Sequence, residues 1–317
     1  MNQFLSFLKN WTLPAAIAFG ALMYGIFAAV PALDGASAFF GPVFAEILPW
    51  FLFAILFVTF CKVDFKKMRV SWWHLLVSAF QVLFVAILMC CIVLSGISGK
   101  ELIFVEGIIT CIIGPCASAA PVVTAKLGGN LESMTTYTFL SNFITALMIP
   151  LCFPMIEQSV EMEFLQSFLL ILTRVFVILI IPMFLAYVVK HFMPRVLKAV
   201  LSVNDLPFYL WGCSLSVVTG TTLKNIFNSD ATGGFLLAIA VASLLLCLVQ
   251  FSVGRYIGRF FGASVEGGQA LGQKNTAFAI WVAYTYLNPL SSVGPGCYIL
   301  WQNAINSIEL WQQRRKS

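Results

Sequence analysis

Residues 266–276 read Glu266-Gly267-Gly268-Gln269-Ala270-Leu271-Gly272-Gln273-Lys274-Asn275-Thr276 and run on into Ala277-Phe278-Ala279-Ile280. A stretch apolar enough to cross a bilayer therefore carries glycine, amides, a lysine and a hydroxyl at its centre. Gly272 permits unusual backbone angles, and the side chains of Gln273, Asn275 and Thr276 can bond backbone groups that a break sets free. A second stretch follows the same plan. It opens on Glu106-Gly107 and reaches Gly114-Pro115-Cys116-Ala117-Ser118-Ala119-Ala120-Pro121. Pro115 and Pro121 remove backbone donors and obstruct the preceding turn. Non-helical backbone at membrane depth is tolerated only inside protein or beside a watery cavity. Two interrupted helices at corresponding places in the halves of a chain point to the binding site of a secondary transporter.

Composition places both stretches in a membrane. Of 317 residues, 60% are hydrophobic and only 10% charged, and mean hydropathy is +0.94. A soluble domain carries about a quarter charged residues, so too few are present to coat a water-facing surface. The expected fold class is an all-α polytopic membrane protein, with 1–317 forming a single transmembrane domain. A span needs roughly 20 residues. Apolar runs read against breakers give ten spans: 12–32, 41–60, 73–96, 102–126, 132–156, 163–191, 203–225, 233–260, 266–289 and 292–312. The first reads as a retained helix and not a signal peptide. The seventh is the most dilute, because Asn204, Asp205, Thr219, Thr221 and Thr222 fall in it. Spans one to five (about 12–156) and six to ten (about 163–312) form two halves. An odd number of spans per half turns the second upside down, so the halves are expected to be two inverted five-helix repeats, with the interrupted segments fourth in each.

Basic residues orient the map. Lys9, Lys62, Lys66, Lys67, Arg69, Lys126, Lys190, Arg195, Lys198, Arg255, Arg259, Arg314, Arg315 and Lys316 fall on the side of the termini, and only Lys100 and Lys224 on the other. That asymmetry predicts a cell (inner) membrane protein with both termini cytoplasmic. The formal charge of +5 is spread among these loops, so it is no nucleic-acid footprint. The nine cysteines show no paired or metal-ligand spacing, and neither a disulfide framework, a metal site nor a cofactor is expected.

The run from Leu271 to Ile280, with Trp301-Gln302-Asn303 in the tenth span and Gly114 to Asn130 in the fourth, resembles the bile acid:sodium symporter family. That resemblance implies a panel domain (spans 1, 2, 6 and 7), a core domain (spans 3–5 and 8–10), and helices four and nine crossing at their breaks. It implies secondary transport of an organic anion, usually driven by sodium. The departures are as informative. Where the family has sodium ligands this chain has Ala120, Pro121, Ala270 and Lys274. Thr138 and Asn130 keep polar character nearby, but no carboxylate is left at the crossover. Sodium independence is the resulting expectation.

A lysine at mid-membrane costs about 3 kcal/mol on insertion scales. Two roles for Lys274 fit that cost. Its ammonium either binds a substrate anion or a transported proton, or it bonds carbonyls at the breaks and holds them together. The expected site comprises Lys274, Gln273, Asn275, Thr276, Ser118, Asn130, Thr138, Gln302 and Asn303, with Pro115, Pro121 and Gly272 shaping the backbone. The expected partners are a small organic anion, protons and the bilayer. Two other readings stand beside this one: an arsenite-type efflux protein using Cys116, whose thiol suits a soft metalloid, and a membrane sensor that binds without transport. No nucleophile motif, HExxH or deep aspartate supports an enzyme. Glu106 and Glu266 read as interfacial and solvated, His74 and His191 as interfacial, and Glu46 and Arg174 as an ion pair at equal depth.

The orientation is checked with a cysteine placed at position 160. It should react with a membrane-impermeant maleimide applied outside the cell; labelling only after permeabilisation overturns the map.

Overall fold

The computed structural model describes residues 12–156, 163–202 and 206–316, and the chain there is helical, with no strand. In chain order the helices are α1 (Thr12–Ala29), α2 (Asp34–Cys61), α3 (Trp72–Ser95), α4 (Gly99–Ile113), α5 (Ala120–Lys126), α6 (Leu131–Ile156) and α7 (Phe164–Leu179). They continue as α8 (Ile181–Phe192), α9 (Pro194–Ser202), α10 (Leu206–Phe227), α11 (Gly233–Arg259), α12 (Ser264–Gly272), α13 (Thr276–Tyr286) and α14 (Val293–Lys316). Helix is the form that satisfies every backbone donor and acceptor within its own segment, which hydrocarbon demands.

Five described segments are long and apolar enough to cross a membrane: Pro42–Cys61, Trp72–Ser95, Leu131–Ile156, Phe164–Phe192 and Gly233–Arg259. Pro14–Ala29 is apolar but shorter. The remaining expected spans also coincide with helix, in interrupted or more polar form: α4 with α5, α10, α12 with α13, and α14. Large apolar side chains face outward all round the molecule, among them Phe19, Leu83, Leu147, Phe184 and Leu237, each more than half exposed. A water-soluble protein does not carry such a belt.

Two groups of contacts organise the helices. α1 and α2 pack on α10, and α2 also packs on α7 and α8. α3 to α6 and α11 to α14 pack among themselves, α11 with α12 most extensively. That last pairing depends on backbone touching backbone. A Cβ on Gly254 would stand 2.1 Å from the carbonyl oxygen of Gly267, and one on Gly267 2.1 Å from that of Gly254. Only glycine fits at both positions.

Two expectations are corrected here. Glu46 and Arg174 form no ion pair: both are exposed, and Arg174 faces the Tyr286 hydroxyl. Equal depth on neighbouring helices placed the two residues at one level but did not turn them toward each other. His74, near the start of α3, is fully buried in protein and so is shielded from water. Its Nδ1 accepts the Ser71 amide at 2.9 Å, and its Nε2 meets the Ser133 carbonyl at 3.0 Å. Positions 160, 9 and 203–205, used in the sequence map, lie outside the described residues.

The glycine contact has a measurable consequence. Gly254→Ala should lower stability by about 1–3 kcal/mol through overpacking, read as a fall in melting temperature in detergent. Gly25→Ala, where an added Cβ meets nothing within 4 Å, should leave it unchanged or slightly raised.

Candidate functional site

The two sequence breaks meet. α4 ends at Ile113 and α5 starts at Ala120, while α12 ends at Gly272 and α13 starts at Thr276. The extended residues between them pair as an isolated antiparallel bridge, Cys116 opposite Lys274. The Ala117 amide donates to the Gln273 carbonyl at 2.9 Å, and the Asn275 amide to the Pro115 carbonyl at 2.8 Å. The crossing of these two interrupted helices is therefore a piece of two-stranded backbone inside a helical protein.

Side chains meet several of the other groups set free by the breaks, most of them from neighbouring helices. Gln302 of α14 accepts the Lys274 amide at 2.8 Å and donates to the Lys274 carbonyl at 3.1 Å. Ser141 of α6 accepts the Cys116 amide at 2.8 Å. The Ile113 carbonyl accepts from Thr145 at 2.9 Å and from Gln81 of α3 at 3.3 Å. The Tyr298 hydroxyl donates to the Gly272 carbonyl at 2.9 Å and accepts from Gln250 of α11 at 3.0 Å. Asn275 caps α13 by accepting the Phe278 amide at 3.2 Å. Of these supports, sequence reading singled out Gln302 and Asn275. Gln81, Ser141, Thr145, Gln250 and Tyr298 were missed, although glutamines well inside apolar spans were the available signal.

A cavity of about 840 Å³ ends on this crossover. Its closed end includes Ser118, Gln273, Lys274, Asn275 and Thr276, with Thr138, Gln302 and Asn303 on its walls. Its apolar walls include Leu52, Phe60, Met68 and Trp211, and its mouth carries Lys62, Lys67 and Lys126 against Asp64 and Glu132. Lys67 pairs with Glu132 at 3.6 Å, which leaves the lining cationic by two charges with Lys274 included. Pro121 lines the cavity as well, whereas Pro115 and Gly272 serve the site through their carbonyls.

Asn130 is the expected site residue that the structure takes away. It is exposed and lies outside the cavity lining, with its amide on Glu266 and its Oδ1 accepting the Ser133 amide at 2.8 Å. The short turn before α6 needs that asparagine as a cap. Cys116 is 1% exposed, does not line the cavity, and lies in an apolar cluster with Trp73, Val77, Ala120, Met134, Tyr137 and Ala270.

Lys274 is 1% exposed, and its Nζ has no hydrogen-bond partner. No carboxylate pairs with it, and its ionisable neighbours are the thiols of Cys116 and Cys111. Although Lys274 contributes to the cavity wall, its ammonium nitrogen is sealed just beneath that wall.

Outward-facing apolar helices, two broken helices crossed in the interior and a cavity ending at the crossing define the class of polytopic helical membrane transporters. Residues 49–229 match the model of the Sodium Bile acid symporter family, and the chain belongs to that family. The match runs from α2 through α10, taking in the first break and stopping ahead of the second. Membership marks the protein as a membrane transporter of the bile-acid or organic-anion type. A comparison with curated proteins found no match.

The backbone clamp by Gln302 can be tested on its own. Gln302→Leu leaves the buried amide of Lys274 without a partner, at about 1–3 kcal/mol, and takes from its carbonyl one of two donors, the Thr276 amide remaining at 2.9 Å. The variant should melt markedly earlier in detergent, while Asn303→Leu, whose Nδ2 only bonds back to the Ile299 carbonyl of its own helix, should cost much less.

Proposed function

We propose that this protein is a secondary active transporter of a small organic anion, working by alternating access without sodium and with protons as the coupling ion. The observation that carries this reading is the charge at the crossover: a buried lysine with no carboxylate opposite it, at the closed end of a cavity whose mouth is also basic. Half-helix N-termini that face such a cavity add partial positive charge of the same sign. Gln273, Asn275, Thr276 and Ser118 supply neutral hydrogen bonds around the anion. An anion is the substrate that this field favours.

The architecture in this reading has ten spans in two inverted repeats. The panel is α1, α2, α7 with α8, and α10; the core is α3 to α6 and α11 to α14. The packing of α1 and α2 on α10, of α2 on α7 and α8, and of α11 on α12 supports that division, while α6 packs on α7 across it. Both termini face the cytoplasm of the inner membrane, so the cavity, bounded by Lys62, Lys126, Ser307 and Leu310, opens inward. Sodium independence is supported by Ala120 and Ala270. Both are fully buried, and neither alanine side chain has an oxygen to offer a cation. Protons enter through the Lys274 amine, which can shed and regain one as access changes.

The test is uptake of radiolabelled cholate and of pyruvate into proteoliposomes under an imposed gradient. Uptake should persist with choline in place of sodium. Lys274→Gln keeps the backbone bonds to Gln302 and removes the charge; it should fold, yet lose anion uptake or its pH dependence. Strict sodium dependence, or an unchanged affinity and pH profile in Lys274→Gln, overturns the reading, and binding without uptake makes the protein a sensor.

A further inference from the structure

Glu106 and Glu266 were expected at the interfaces in contact with water. Both are buried instead, at 0% and 6% exposure. Each carboxylate is held by backbone. Glu266 accepts the Asn130 amide at 2.6 Å. Glu106 accepts the Asn288 amide at 3.3 Å and the Ser291 hydroxyl.

The placement of these bonds is reciprocal. Glu266 lies on α12, the first half of one broken helix, and holds the turn that follows α5, the second half of the other. Glu106 lies on α4, the first half of that other helix, and holds the turn that follows α13. The turns match as well: Asn130 caps the Ser133 amide and Asn288 the Leu290 amide, at 2.8 and 3.0 Å. Each glutamate is followed by a glycine that lets its helix touch a neighbour's backbone, Gly107 against Gly294 and Gly267 against Gly254. The paired turn is tight around the acid: a Cβ on Gly129 would stand 3.1 Å from Glu266 Oε1.

We infer that Glu106 and Glu266 are equivalent positioning residues, two braces that fasten the outer ends of the crossed helices from opposite sides of the crossover. They are braces and not gates. The cavity lining includes Lys126, Leu131 and Glu132 beside the turn that Glu266 holds and no residue of the turn that Glu106 holds, yet both carboxylate-to-turn bonds are closed together. A gating pair in a one-sided state would have one bond broken. With both closed, the four half-helices move as one body and the backbone bridge at Cys116 and Lys274 keeps its register. This rests on the inverted-repeat reading for the equivalence of the two acids, but its test needs no substrate and no uptake.

The test is hydrogen–deuterium exchange with mass spectrometry on the full chain in lipid nanodiscs. Glu266→Ala should speed exchange over residues 128–134 by about ten- to a hundredfold, the effect of losing one charge-assisted hydrogen bond, and leave 286–292 unchanged. Glu106→Ala should do the reverse. Either change should also speed exchange across the crossover amides of Ala117 and Asn275. Glutamine at each position, whose amide oxygen can accept the same bond, should restore protection. Aspartate, retracted by one methylene, should not, and it gives the same comparison if an alanine variant cannot be recovered. Unchanged exchange at the paired turn, an equal rise at both turns from one substitution, or an undisturbed crossover overturns the inference.

Discussion

Two backbone hydrogen bonds at the centre of the molecule, Ala117 to Gln273 and Pro115 to Asn275, are the constraint on which the rest of the structure depends. Hydrocarbon offers no partner to a peptide group, so a helix broken at mid-membrane must find its partners in protein. Here each break serves the other. The pairing needs both segments extended at the same depth and running in opposite directions. The antiparallel bridge of Cys116 with Lys274 meets that need.

The surrounding helices complete what the bridge begins. Gln302, Ser141, Gln81, Thr145, Tyr298 and Gln250 reach the crossover from α14, α6, α3 and α11 and satisfy the carbonyls and amides left over. The six supports come from four helices, so the crossover backbone is held from several sides at once. The carboxylates of Glu106 and Glu266 extend the same logic to the ends of the half-helices. Satisfied backbone at the bottom of a cavity leaves side chains free to meet a solute there.

Lys274 stands apart from this saturation. Its amide and carbonyl are both clamped by Gln302 while its ammonium has no partner. The residue thus combines bonds made by its backbone with a side-chain amine that makes none. A glutamine in its place could retain the first and not the second. Close to this position, where the resemblance would place a glutamate and a serine, the chain has Ala270 and Ala120, both buried in one cluster.

The sequence by itself determined the membrane class, the helical segments and the two breaks. Each of these follows from local chemistry: run length of apolar residues, proline and glycine at fixed places, and a lysine that hydrocarbon would otherwise exclude. Most of the lining was legible for the same reason, because Ser118, Gln273, Asn275, Thr276, Gln302 and Asn303 are polar residues inside apolar runs. Tertiary structure alone decided what those residues face. It turned Glu46 and Arg174 outward, spent Asn130 on a helix cap, sealed His74 under α6, and buried Glu106 and Glu266 against distant turns. The depth of a residue in a span can be read along the chain. Its azimuth, and the backbone group waiting at that azimuth on another helix, are set only when the helices pack.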